Sequence, residues 1–396
     1  MAITKEAPLA DGGGIGGEGI SHHAEEGLVV GNYCHDVLYR DGRVIGEGLG
    51  GAASFTTNVL DALSLPVRCV SRVGSDFAYL SSVSSHPPIF SSSSSTTLFH
   101  AHFIDNNKDD DVERRDRVLK RVRSCDPISP SDLPGGRMFS FGLAVGVGGE
   151  ISPETLECML DLCRVVFVDI QALIRVFDDE DGGTVRLVPL KDSGFSHLLP
   201  RIGFLKASAE ESPLIEIEEA RKHCCVIITD GKDGCRVYWK DGELRVPSFP
   251  AVQIDPTGAG DSFLGGLVTG MAHGFSVAGA ALLGNFFGSL TVAQIGVPKF
   301  NPPMLQIVKG ELSRKTTQHS GIREGREIAA EPWKSEEYNS FRVCLQGATG
   351  MMCGHKTFEQ RDEHEIARQQ KILLSSAYDE MRHVNNQEKS RIIDLH

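Results

Sequence analysis

Nine consecutive residues, Asp255-Pro256-Thr257-Gly258-Ala259-Gly260-Asp261-Ser262-Phe263, join a bare backbone to a carboxylate. Gly258, Ala259 and Gly260 carry nothing larger than a methyl group, so their N–H groups can approach an anion closely. From Asp261 onward, Phe263, Leu264, Leu267, Val268 and Met271 recur at helical spacing until Gly274 stops the run. The first N–H groups of such a helix lack intrahelical acceptors. Together with the positive end of the helix dipole they form an anion site suited to a phosphate. For Asp261 the first-turn position admits two roles. It is a helix cap, the commoner use of Asp there, or a base that takes a proton from a hydroxyl brought up to the phosphate. Spacing alone leaves both open.

Such residues need elements to hold them, and the hydrophobic pattern supplies an alternation of strands and helices. Short apolar runs at 28–30, 67–70, 138–141, 165–168, 202–205 and 226–229 predict buried strands. Residues 53–63 carry apolar side chains at helical spacing. Ser152-Pro153-Glu154 starts another helix, with Ser as cap and Pro at the first position, and Leu156, Met159, Leu160 and Cys163 form its stripe. This order predicts a mainly parallel sheet covered on both faces. Residues 276–294, rich in Ala, Gly and Leu, predict a closely packed helix. Alternation over 97–104 sets Phe99, Ala101 and Phe103 on one face and His100 and His102 on the other, a half-exposed strand. Two histidines without a third ligand do not make a metal site.

Further polar candidates follow the strands. Asp36 lies in a loop after the first one, where open α/β sheets place ligand contacts, although spacing alone favours a turn residue. Glu211 reads as a helix N-terminal charge or as a site acid. Thr229-Asp230-Gly231-Lys232-Asp233-Gly234 permits a tight turn before a strand at 235–239, which taken by itself is a hairpin. Gly14-Ile15-Gly16-Gly17-Glu18-Gly19 spells a dinucleotide-binding pattern. No strand precedes it and no amphipathic helix follows, so that reading is rejected.

Composition excludes several classes. The 396 residues, 40% of them hydrophobic, suffice for a substantial core in one large or two ordinary domains. A formal net charge of -13 argues against a nucleic-acid surface and for a neutral small-molecule partner. Ten cysteines at scattered positions read as buried thiols of a reducing compartment. No apolar stretch reaches membrane-spanning length, and the Gly-rich, acidic segment 1–26 lacks the features of a signal or transit peptide. A cytoplasmic protein without membrane or nucleic-acid partners is expected. Oligomeric state is not readable from these features.

The nine-residue stretch, with Gly265 and Gly266 behind it, resembles the C-terminal signature of the ribokinase-like (pfkB) carbohydrate kinases. Gly50-Gly51 before a helix resembles the N-terminal one. The resemblance covers roughly residues 28–300. It implies a ribokinase-like three-layer α/β/α sandwich with a mainly parallel sheet and a small β lid, and a reaction between ATP with Mg²⁺ and a polyol hydroxyl. It further implies Asp261 as the base, and Gly258, Ala259 and Gly260 as the phosphate-holding anion hole. Asp36, Gly50, Gly51 and Ser54 fall on the acceptor side. Ser208, Thr229, Asp230, Gly231, Gly234 and Asn285 fall on the ATP side, and Glu211 on Mg²⁺ through water. Ser54 and Ser208 depart from the family, which usually has asparagine at both places.

Three stretches are most similar to family members that act on myo-inositol: residues 31–36, residues 48–55, and Val168-Asp169-Ile170-Gln171-Ala172. That acceptor is expected. Fructose, ribose or a nucleoside is the alternative within the class, and a catalytically silent scaffold is the alternative outside it. The expected organisation is a disordered leader at 1–26, a kinase domain with lid at 27–305, and a polar extension of unknown role at 306–396, dispensable for chemistry.

Overall fold

In the computed structural model, residues 26–103, 117–178, 182–316 and 335–350 are described. The expected leader, apart from Glu26, and the charged run at 106–116 lie outside the described residues. The first apolar run becomes β1 (Gly27–Val30), buried throughout. The chain then leaves the core as an antiparallel pair, β2 (Cys34–Arg40) and β3 (Arg43–Gly50), and returns through α1 (Ala52–Ala62) to β4 (Val67–Val70) beside β1. The serine-rich stretch that follows reads as loop by composition, yet β5 (Arg72–Gly74) and β6 (Ile89–Ser91) pair there. The carboxylate of Asp126 gathers the hydroxyls of Ser91 and Ser93 at 2.6 and 2.7 Å.

β7 (Thr97–Phe103) and β8 (Arg117–Arg123) form an antiparallel pair, followed by β9 (Phe141–Ala144), α2 (Pro153–Leu162) and β10 (Val166–Asp169). β9 lies three residues beyond its expected start: Met138 is 59% exposed, and although Phe139 is buried, the unbroken buried run begins at Phe141. A short α3 (Gln171–Ile174) leads into the hairpin β11 (Arg175–Asp178) and β12 (Thr184–Leu187). Then come β13 (Phe204–Ser208), α4 (Ile217–Ala220), β14 (Cys225–Thr229), β15 (Cys235–Trp239) and β16 (Gly242–Val246). Four helices close the described chain: α5 (Ala259–Ala272), α6 (Val277–Val292), α7 (Pro302–Thr316) and α8 (Glu336–Gly350).

Among the described residues, eight strands make a central sheet in the order β16-β15-β14-β13-β10-β9-β1-β4, parallel from β4 to β14. The strands are apolar on both faces because both faces are covered. One apolar cluster joins the sheet to α1, α5 and α6, and another joins its opposite face to α2 and α4. A second sheet, β11-β12-β8-β7-β2-β3, is the lid. In β7, Phe99 and Ala101 are buried while His100 and His102 are half-buried. Tyr39 of β2 stacks on His102 with ring centroids 4.6 Å apart. This is the sandwich with a β lid expected from the sequence.

The expected domain boundary after residue 305 falls inside α7 and is corrected here. Met304, Val308 and Leu312 of α7, and Phe341, Leu345 and Ala348 of α8, are buried in the cluster that contains α5 and α6. Phe341 lies 4.5 Å from Phe275, centroid to centroid. Each helix presents a narrow apolar stripe at three- and four-residue spacing, and the charges around it make the segment look polar. Both helices therefore contribute to the described core. Among the described residues no helix is long and apolar enough to cross a membrane.

A stripe of this kind has a measurable consequence. Phe341→Ala is expected to lower stability by about 3–5 kcal/mol, as for other buried Phe truncations, in urea unfolding. A loss under about 1 kcal/mol would mean that α8 rests on the core without stabilising it.

Candidate active site

The turn before α5 is built by a buried acid. Asp255 accepts the N–H of Thr257 at 2.9 Å and that of Gly296 at 3.4 Å. Gly258 then caps the helix at φ 74°, in the left-handed region, and a Cβ there would overlap the Phe55 ring of α1. Both demands select glycine. At Gly260 a Cβ would stand 2.6 Å from the ammonium nitrogen of Lys206, so the bare helix start has a cation packed against it. The N–H of Ala259 reaches the carbonyl of Pro256 at 3.3 Å. The N–H groups in the first turn of a helix face its N-terminal end, and that of Gly260 lies in this turn.

Asp261 is held from two sides. Gln171 of α3 donates its amide N–H to Oδ1 at 3.1 Å, and the Thr56 hydroxyl donates to the main-chain carbonyl at 3.3 Å. Asp36 faces the same space from a different element than expected: it lies within lid strand β2, not in a loop after β1. Gly50 is paired next to it in the lid, where any Cβ would collide with the Asp36 carboxylate. Gly51 lies at φ 88° against the carbonyl of Asn32. Asp36, Gly51, Gln171, Arg175, Gly258 and Asp261 line a cleft of about 40 Å³. The expected base, acceptor acid and first anion-hole glycine thus come together. Ser54 does not join them as expected. It is 3% exposed, and its hydroxyl donates to the Gly51 carbonyl at 2.8 Å, so it shapes the backbone behind the cleft.

Two ion pairs lie beside the start of α5; of their four members, the sequence assigns a role to Glu211 and marks Asp169 within the stretch 168–172. Lys206 of β13 donates to Asp169 of β10 at 2.8 Å, with the two residues 5% and 0% exposed. Arg175 donates to Glu211 at 2.9 Å. Burial works against the Lys206 cation, but the carboxylates of Asp169, Glu211 and Asp261 outweigh it and raise its pKa. Burial likewise works against the Glu211 anion, while Arg175, Lys206 and the Ser208 donors hold its pKa below the ordinary range. A charged residue interrupting the apolar run Phe204-Leu205-Lys206-Ala207 was the available signal for Lys206.

Glu211, expected on Mg²⁺ through water, is fixed here by protein donors. One oxygen is committed to Arg175, and the other accepts both the N–H and the hydroxyl of Ser208, at 2.9 and 3.0 Å. Among the described residues no group of three His, Cys, Asp or Glu could hold a metal ion. Ser208 is correspondingly engaged in orienting Glu211.

The remaining nucleotide-side candidates cluster at the β14–β15 turn. Thr229 ends β14, and Gly231 and Gly234 turn the chain at φ 56° and 92°. Asp230 is gripped by the Arg236 guanidinium through two bonds of 2.6 and 2.9 Å, so its side chain stabilises the turn. Asn285, expected on the ATP side, is 6% exposed, and its amide nitrogen donates to the carbonyls of Val246 and Pro247, each at 3.0 Å.

A family model described as pfkB family carbohydrate kinase matches residues 203–303. The chain is 51% identical over 359 residues to an inositol 3-kinase of Oryza sativa subsp. japonica, covering 89% of this chain and 88% of that one. It is 57% identical over 291 residues to an inositol 3-kinase of Arabidopsis thaliana, covering 74% and 80% respectively. Among solved structures, a pyrophosphate-dependent kinase in the ribokinase family, complexed with a pyrophosphate analog and myo-inositol, matches with a TM-score of 0.57 at 15% identity. The match covers 69% of this chain and 97% of that one, and it establishes a ribokinase-like fold.

The hydrogen bond from Gln171 is the contact most open to test. Gln171→Met keeps the volume and removes a donor to a charged group, an interaction worth about 1.5–3 kcal/mol. Turnover is expected to fall about 10- to 100-fold with little change in thermal midpoint. Unchanged turnover would remove Gln171 from the positioning of Asp261.

Proposed function

The chain belongs to the pfkB family of carbohydrate kinases, and we propose that its reaction is transfer of the ATP γ-phosphoryl group to a hydroxyl of myo-inositol. The observation that carries this reading is the likeness to inositol 3-kinases over most of the chain. The cleft's chemistry supports it. A neutral polyol offers hydroxyl donors, and the Asp36 carboxylate is an acceptor for them.

In the proposed mechanism Asp261, its carboxylate plane fixed by Gln171, takes the hydroxyl proton as the acceptor oxygen attacks the γ-phosphorus. The bond from phosphorus to the bridging oxygen breaks, and ADP leaves with the electron pair. Gly258, Ala259 and Gly260 leave the start of α5 bare, so that its main-chain N–H donors and N-terminal dipole can receive the migrating group. Positioning and electrostatics of this kind account for most of the catalysis in phosphoryl transfer. Mg²⁺ is expected to arrive on the donor phosphates, its common mode of binding.

Against a silent scaffold stand the intact base and glycines. The two departures from the family pattern are accommodated locally, Ser54 on Gly51 and Ser208 on Glu211. A cytoplasmic setting is in keeping with the nine described cysteines, all free thiols.

The test is direct. Purified protein with ATP should phosphorylate myo-inositol with a higher kcat/KM than fructose or ribose, and preference for either sugar would overturn the acceptor assignment. Asp261→Asn should lower kcat by about 10²- to 10⁴-fold, roughly 3–5 kcal/mol of barrier. Its thermal midpoint should hold, because Asn keeps the size of Asp and an Oδ1 that accepts from Gln171. Near-normal turnover in that variant would remove Asp261 from the mechanism.

A further inference from the structure

Among the residues lining the cleft, Arg175 carries the one full positive charge, and the mechanism above leaves it without a role. We propose that Arg175 contacts the phosphoryl group during transfer, and that Glu211 holds the guanidinium in place between turnovers. This rests on the kinase reading of the site.

Placement supports it first. Arg175 follows Gln171 by four residues, so one turn of chain at the end of α3 delivers both the group that orients the base and a cation on the same cleft wall. Charge supports it second. The cleft already presents the carboxylates of Asp36 and Asp261, and a phosphate donor brings more negative charge into the same space. Lys206 is poorly placed to meet that group directly, since it is 5% exposed, packed against Gly260 and bonded to Asp169. Arg175 is less enclosed, with a fifth of its side chain exposed. Donor count supports it third. The bond to Glu211 uses one N–H of a planar group that has five, and the guanidinium fork matches phosphate oxygens. Glu211 cannot swing away with it, because Ser208 holds the other carboxylate oxygen by two bonds.

A purely structural role is the competing account: the pair would only pin the β11–β12 hairpin of the lid to the core. The full chain distinguishes the two. Arg175→Ala is expected to lower kcat with myo-inositol by about 10²- to 10³-fold, the usual loss for a donor to developing charge. Glu211→Gln should lose no more than about 10-fold, the scale of one hydrogen bond. By calorimetry, Arg175→Ala should weaken binding of the non-hydrolysable β,γ-imido analogue of ATP by about 10-fold while ADP binding holds, since only the γ-group is lost as a partner. Added guanidinium should restore part of the lost turnover.

Equal losses in the two variants, or equal weakening of the ATP analogue and ADP, would overturn the proposal in favour of the structural pin. If the wild-type protein does not phosphorylate myo-inositol, the acceptor assignment fails, and the binding arm still decides the role of Arg175. Should Arg175→Ala not fold, Arg175→Gln keeps a donor to Glu211 and is read by the same criteria.

Discussion

The ammonium of Lys206 is out of water beside the first turn of α5, and much of the site follows from satisfying it. A buried cation costs several kcal/mol unless a carboxylate is at hand. Asp169 provides one because β10 and β13 run parallel with Asp169 and Lys206 directly paired in register. The pair must therefore sit at the carboxyl ends of two central strands, which is where an open α/β sheet receives ligands. Glycine at 260 leaves the ammonium room against the helix start, since a Cβ there would stand 2.6 Å from its nitrogen. Two residues beyond Asp169 the chain enters α3, and Gln171 arrives against Asp261. Sheet register, the bare helix start and the orientation of the base are consequences of one burial problem.

Glu211 and Arg175 extend the same pattern. Each of the two cations is paired with a carboxylate, which leaves this side of the helix start close to neutral before any ligand enters. That neutrality lets α5 present its N–H groups to an anion without a fixed negative charge beside them.

What the sequence made legible follows the range of the forces involved. Residues 255–263 could be read because turn, cap and helix are local, and every contact that defines them is a few residues away. The strand and helix alternation was legible for the same reason, through periodicity. Lys206, Arg175 and Gln171 were not, because their roles come from register between strands and from helices far apart in the chain. The tie that the Asn285 amide nitrogen makes from α6 to the end of β16 was not legible either, because an amide looks the same in sequence whatever it meets. The closing helices were missed because their buried positions are few, although Met304, Val308 and Leu312 fall on one face.

The division of the site between two sheets bears on selectivity. Asp36 belongs to lid strand β2 and Arg175 opens lid strand β11, whereas Asp261 and the anion-hole glycines belong to the core. An acceptor in the cleft between them is therefore met from two sides, by Asp36 of the lid and by Asp261 of the core. A polyol with several hydroxyls can satisfy both carboxylates at once, whereas water, with a single oxygen, cannot span them, and that difference favours the alcohol as nucleophile.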